Sequence, residues 1–324
     1  MHNLTCNILI MTGITSLPYP PDSETILPIP KTYPEPQPQK GDEEIRQTSI
    51  STIINLVRNK PKVRNIWNLL HQDSEINAHW DCANYITVKK LGMNDHGRVH
   101  AMVATASALR IFDLLVRSGI TPDLVSAGIG DLDDAYLVVL TAALCHDIGN
   151  QIHREDHITH SLILVAPILD RILPQVYDES VKIIQVRAFI LSLIYSHHGD
   201  PRPLTIEAGA VCIGDATDMT TGRARSAYDQ GRVTIHTISA LSIDQVSIDQ
   251  GKEVPVEITI RMSNSAGLFQ VQEILGPKIA AGPITQYIEV KIRFTDESSG
   301  VEKQILSGMK LGNGVGIEEF YDRD

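Results

Sequence analysis

Cysteine, positive charge and long apolar runs are all scarce in this chain of 324 residues. The four cysteines, Cys6, Cys82, Cys145 and Cys212, stand far apart and make no C-x-x-C pair. That spacing excludes a disulfide framework and reads as reduced thiols in a cytoplasmic protein. Lys and Arg number 28 against 39 Asp and Glu, a net charge of −11. Such a surface carries no field to draw in long nucleic acid or an anionic membrane, so neither is expected as a partner. No window approaches eighteen uninterrupted apolar residues, so no spanning helix is expected. The first residues, MHNLTCNILIMTGITSLPYP, place no Lys or Arg before their short apolar patch and offer no A-x-A-like cleavage site. A secretory signal is therefore not expected either.

What is present falls into three parts. Residues 1–42 include eight of the 17 prolines, concentrated in LPYPPDSETILPIPKTYPEPQPQK, which removes amide donors too often for a helix or central strand. This predicts an extended, disordered N-terminal arm. Over 43–230 apolar residues recur at helical spacing, as in ISTIINLV, VVLTAALC, HSLILVAPIL and VRAFILSLIYSH, with turn signals between them. A mainly α domain of roughly eight helices is expected. Over 231–324 the period changes to two: VPVEITIRM and YIEVKIRF read as strands. Between them Leu268, Val271, Leu275 and Ile279 recur at helical spacing behind a candidate N-cap at Ser265. This segment reads as a small α+β module serving packing, dimerisation or sensing, so a homodimer is compatible with the sequence.

Eight of the 12 histidines, His96, His100, His146, His153, His157, His160, His197 and His198, fall within residues 96–198. His96 and His100 are four apart, as are His153 and His157, a spacing that puts both members on one face of a helix. His146 and Asp147 close an apolar run whose character predicts a buried helix, and a buried His-Asp pair must be neutralised or coordinated. His197 and His198 end a further apolar helix, and Asp215 and Asp218 close AVCIGDATDM. Mixed imidazole and carboxylate donors suit one or two divalent transition ions, Mn, Fe, Co, Ni or Zn, better than calcium or a thiolate-held zinc. Two such ions sharing a carboxylate, roughly 3.5–4 Å apart, clamp a phosphoryl group.

The order His100, His146-Asp147 and Asp215, with HDIGN close to the HDIGK form, resembles the HD-domain metal-dependent phosphohydrolases over residues 90–230. The resemblance implies an all-helical domain that hydrolyses a phosphate mono- or diester, of a nucleotide above all, by a metal-activated hydroxide. It makes His100, His146, Asp147 and Asp215 ligands of a first metal, with Asp147 also bridging, and His157, His197 and His198 the additional histidines of the two-metal subgroup. His153 or His160 could stand in for His157, and Asp218 for Asp215. The stretch HGRVHA is similar to the H-N-x-x-H-A stretch of the cyclic nucleotide phosphodiesterases, which casts His96 as general acid. Arg154, inside the histidine cluster, is the candidate phosphate contact. Arg98, Arg223 and Arg225 are weaker candidates, because surface arginines are common.

After the paired histidines the chain reads HHGDPRP, which departs from the HHE and GYP continuation of the cyclic-di-GMP phosphodiesterases and speaks against that substrate. A small phosphorylated substrate is expected. The same resemblance leaves two alternatives: a diiron oxygenase on the HD fold, and a regulator whose metal site binds a nucleotide without turnover.

Overall fold

The computed structural model describes residues 42–223 and 234–294. The proline-rich arm, Arg225 and the expected boundary near residue 230 lie outside the described residues. The chain opens with α1 (Asp42–Val57), α2 (Pro61–His71) and α3 (Ser74–Asn84), whose last turn widens into a π-helical stretch, Tyr85–Leu91. There follow α4 (Arg98–Arg117), the short α5 (Asp123–Ser126), α6 (Leu132–Cys145), α7 (His157–Ile172), α8 (Ser180–Tyr195) and α9 (Ile206–Ala216).

α6 is the axis of this assembly. Its start is set by a capping box: Asp131 accepts from the Asp134 amide at 3.0 Å, and the Asp134 carboxylate accepts from the Asp131 amide at 3.0 Å. From Asp134 to Cys145 every residue is buried, because α2, α4, α8 and α9 all pack against it. Each leucine or valine so buried contributes roughly 1.5–3 kcal/mol. The end of α6 leaves carbonyls without helical partners. Trp80 of α3 donates Nε1–H to one of them, Leu144 O, at 3.0 Å.

α4 is long and apolar enough to cross a membrane by length and composition, and no other described helix is. Its apolar window is 72% buried inside the protein, so it serves as a core helix. It starts later than the four-residue spacing of His96 and His100 suggests. Asp95 Oδ1 accepts from the amides of Gly97 and His100 at 3.1 and 3.2 Å, which fixes a helix start at Arg98 and leaves His96 in the preceding loop. His153 likewise lies outside α7, whose first residue is His157. Neither pair therefore shares a helical face.

Beyond α9 come α10 (Ile235–Leu241) and three strands, β1 (Ile243–Gln250), β2 (Val256–Met262) and β3 (Ile288–Phe294). β1 pairs antiparallel with β2, Ile248 opposite Ile258, while β2 runs parallel to β3, Val256 opposite Ile288 and Ile260 opposite Ile292. A parallel pair requires a crossover, which residues 265–281 supply, ending in α11 (Gly276–Ala281). Leu268, Val271, Leu275 and Ile279 are all buried, as their spacing predicts. The cap is Asn264, accepting from the Ala266 amide at 3.0 Å, and not Ser265. β1 escapes sequence reading because IDQVSIDQ is mostly polar and buries only Ile243.

Candidate metal centre

The helix ends that carry histidine also orient it. His146 caps α6, and its Nδ1–H donates to Ala143 O at 2.8 Å, since a carbonyl oxygen only accepts. His197, just past α8, donates Nδ1–H to Ile194 O at 2.7 Å. His157, opening α7, donates Nδ1–H to Arg154 O at 3.0 Å. Each bond leaves Nε2 as the atom with a free lone pair, the tautomer a metal ligand needs. His100 meets the same end through a side chain: Asp218 Oδ2 accepts its Nδ1–H at 2.6 Å.

These Nε2 atoms converge on two carboxylates. His100 Nε2 lies 3.1 Å from Asp215 Oδ1 and 3.4 Å from Asp147 Oδ2. His146 Nε2 lies 3.5 and 3.6 Å from the same two oxygens. Asp147 turns its other oxygen, Oδ1, toward His157 Nε2 at 3.5 Å and His197 Nε2 at 3.8 Å. The side chains form three overlapping groups with donor atoms within 4.8 Å: His100, His146 and Asp215; His146, Asp147 and His197; His157, His197 and His198.

The close approach of three helices makes this possible. A Cβ at Gly149 would stand 2.0 Å from His157 O and 2.4 Å from the Ser161 amide. Only glycine lets the HDIG turn meet the start of α7, where Ser161 Oγ accepts the Gly149 amide at 2.8 Å. At Gly214 a Cβ would stand 2.6 Å from the Ala108 amide nitrogen. That contact seats α9 on α4 and sets Asp215 beside His100.

Burial shapes the charges. It is the largest influence on the His157 and His198 imidazoles, holding both down to about 4, and it holds His197 well below its ordinary value. Burial would raise Asp147 and Asp215, but it is outweighed. His146 and His100 hold Asp147 well below the usual range, and Lys278, His100 and His146 do so for Asp215. The neutral imidazoles of His157, His197 and His198 beside ionised carboxylates are donors a divalent cation takes, and at His100, whose proton the carboxylates favour, a cation would bind by displacing that proton. The fit is tested at one atom: His157 Nε2 is buried and accepts no hydrogen bond, a lone pair whose isolation costs roughly 1–3 kcal/mol. A divalent cation held by His157 and Asp147 would satisfy it.

The remaining candidates sort by position. Arg154 lies in the cluster, donating to Asn150 Oδ1 at 3.2 Å and to His198 Nε2 at 3.1 Å, with Nη1 3.8 Å from Asp147 Oδ1. Asn150 also donates to the Asp147 carbonyl at 2.9 Å, tying Arg154 to the HDIG turn. His96 is buried beside His100, its ring centroid 5.7 Å away, with Nδ1–H given to Asn94 O at 2.6 Å. His153 is exposed and accepts the Glu155 amide, and neither it nor His160 joins the three groups. Asp218 holds His100 at Nδ1, while Asp215 faces the other ring nitrogen, Nε2. Arg98 points away, to Asp81. Arg223 is not a surface residue: it donates to Asp218 O at 2.8 Å and to Asp95 O at 3.2 Å, and its Nη2 lies 3.4 Å from His96 Nε2. Lys278 of α11, which carried no signal in the sequence, is buried and bonds Asp215 Oδ2.

A helical bundle that gathers histidine and aspartate in this order defines a class, and comparison with known proteins agrees. A family model described as HD domain matches residues 124–220. His100, expected from the sequence as a ligand, precedes the matched segment, and the fold sets it beside Asp215 and Asp147. The chain belongs to the HD-domain superfamily of metal-dependent phosphohydrolases. Within it, the chain is 37% identical over 250 residues, 77% of its own length and 95% of the relative's, to "Uncharacterized protein MJ1020" of Methanocaldococcus jannaschii, and belongs to that protein's family. It is also 23% identical over 169 residues to Ribonuclease Y of Wolinella succinogenes and 27% identical over 157 residues to Ribonuclease Y of Campylobacter concisus. Those alignments cover 52% and 48% of this chain but only 29% and 27% of the ribonucleases. No solved structure matches.

Proposed function

We propose that the chain hydrolyses a phosphate mono- or diester of a small substrate, a nucleotide above all, using two divalent ions held side by side. The observation that carries this reading is the division of Asp147, with Oδ2 facing His100 and His146 and Oδ1 facing His157 and His197. His100, His146 and Asp215 would hold one ion, His157, His197 and His198 the other, and Asp147 both. Bound there, such ions supply Lewis acidity toward phosphoryl oxygens and make water acidic enough to attack at neutral pH.

The chain's own groups do the rest. Asp218 and the helix-end carbonyls keep the imidazoles of His100, His146, His157 and His197 turned to the centre. Arg154, positioned by Asn150, presents a guanidinium above Asp147 that suits a phosphate oxygen. His96 commits Nδ1–H to Asn94 O and turns Nε2 toward the Arg223 guanidinium, and burial holds its imidazole well below the ordinary value, so the proton for the leaving oxygen would come from water beside it. The net charge of −11 favours a small substrate over a long polymer. A second reading, a ribonucleotide phosphodiester in RNA, is favoured by the local likeness to the two ribonucleases.

The test is elemental analysis of bound metal, followed by a panel of phosphomonoesters, cyclic and linear dinucleotides and an oligoribonucleotide, with wild type and Asp147→Ala. Loss of metal with at least a hundredfold fall in hydrolysis is expected for the variant, comparable to removing one electrostatic stabiliser. Wild-type hydrolysis in Asp147→Ala would refute the site.

A further inference from the structure

Lys278 reaches the centre from a part of the chain that sequence reading assigns to packing, dimerisation or sensing. It lies in α11, which packs against α9. The seat is close: a Cβ at Gly209 of α9 would stand 2.9 Å from the Ile284 side chain, and a Cβ at Gly282 would stand 3.7 Å from Gly209 Cα. Lys278 is only 7% exposed, a burial lysine tolerates when its ammonium is paired. Its stem runs past Gly199, where its Cγ would be 3.6 Å from a Cβ. Its Nζ donates to Asp215 Oδ2. The other oxygen of the same carboxylate, Oδ1, faces His100 and His146 at 3.1 and 3.5 Å.

We infer that Lys278 is a positioning residue of the metal centre: by holding Oδ2 of Asp215 it reserves Oδ1 as the single oxygen this carboxylate offers to the ion beside His100 and His146. A carboxylate with both oxygens free can chelate a cation through both, and a charged donor on one of them removes that option. The α+β module thereby completes the centre, and the docking of α11 on α9 decides how Asp215 binds. The inference rests on the reading of Asp215 as a metal ligand.

The experiment loads full-length wild type, Lys278→Met and Lys278→Gln with Co(II) and records the visible d–d absorption, whose intensity falls as coordination number rises. Gln is too short to reach Asp215, so it carries the test if Lys278→Met does not fold, and circular dichroism reports the fold of each. The expected result is Co(II) bound in all folded proteins, with band intensity lower in the variants than in wild type. Superimposable spectra in folded, Co(II)-loaded wild type and variants would overturn the inference while leaving the metal centre standing. Failure of wild type itself to bind Co(II) would instead overturn the metal reading on which it depends.

Discussion

Asp218 holds His100 from behind: its Oδ2 accepts the His100 Nδ1–H at 2.6 Å while His100 Nε2 faces Asp215 and Asp147. Burial and Arg223 oppose charge on His100, yet Asp147, Asp215 and Asp218 together hold its pKa well above the ordinary value. A carboxylate behind a ligating imidazole fixes ring and tautomer, and losing it typically costs about 10–100-fold in metal affinity. Asp218→Ala should show that loss in a chelator-competition titration with Zn(II), with the helical circular dichroism retained. Unchanged affinity would show that the Asp218 contact does no orienting.

Arg154 is expected to act on substrate and not on the ions. Arg154→Ala removes a charged donor lying 3.1 Å from His198 Nε2 and 3.8 Å from Asp147 Oδ1. Hydrogen bonds to charged groups contribute roughly 1.5–3 kcal/mol, so binding of inorganic phosphate by calorimetry should weaken about tenfold or more. Metal content by elemental analysis should stay at the wild-type value.

Gly149 tests the packing that builds the centre. In Gly149→Ala the new methyl would stand 2.0 Å from His157 O and 2.4 Å from the Ser161 amide, so α7 must move. Overpacking of this kind costs about 1–3 kcal/mol, which urea denaturation should register. The displaced His157 should also lower metal content, whereas a variant as stable and as metal-rich as wild type would contradict the stated contact.

Asp134 makes the fold sensitive to acid. It is buried and bound by Lys182 at 2.7 Å, Lys62 at 2.8 Å and Tyr177 at 2.7 Å. Burial would raise its pKa, but Lys182, Lys62 and Tyr177 outweigh it and lower the value from 3.8 to about 2. A depressed folded-state value means stabilisation that is fully present above the unfolded value and lost as pH falls through the folded one. Asp134→Asn should therefore cost about 3 kcal/mol near neutrality, as removing one partner of a buried ion pair does. In thermal scans the gap between wild type and variant should narrow as pH falls from about 4 to 2.

The sequence determined the helical part of this protein and the heart of its centre. α6 is legible because its run is too apolar to face water, which predicts a buried helix. His146 and Asp147 follow at its end, where unpaired carbonyls fix the imidazole. β2 and β3 show in their period of two. Tertiary structure decided what local pattern does not encode. The spacing of His96 and His100 reads as one helical face, but Asp95 caps the helix between them. His157 is preferred over His153 and His160 in the sequence, and the seat of α7 against Gly149 is what sets it beside Asp147. Asp215 and Asp218 are equivalent in spacing, and the packing of Gly214 on Ala108 turns one toward the ligand side of His100 and the other behind it. Lys278 lies 63 residues from Asp215 along the chain, and its pairing exists only because α11 docks on α9. Spacing carries information about a residue's own helix. Which residues of different helices share one buried space depends on how closely those helices approach, and that is a property of the folded core.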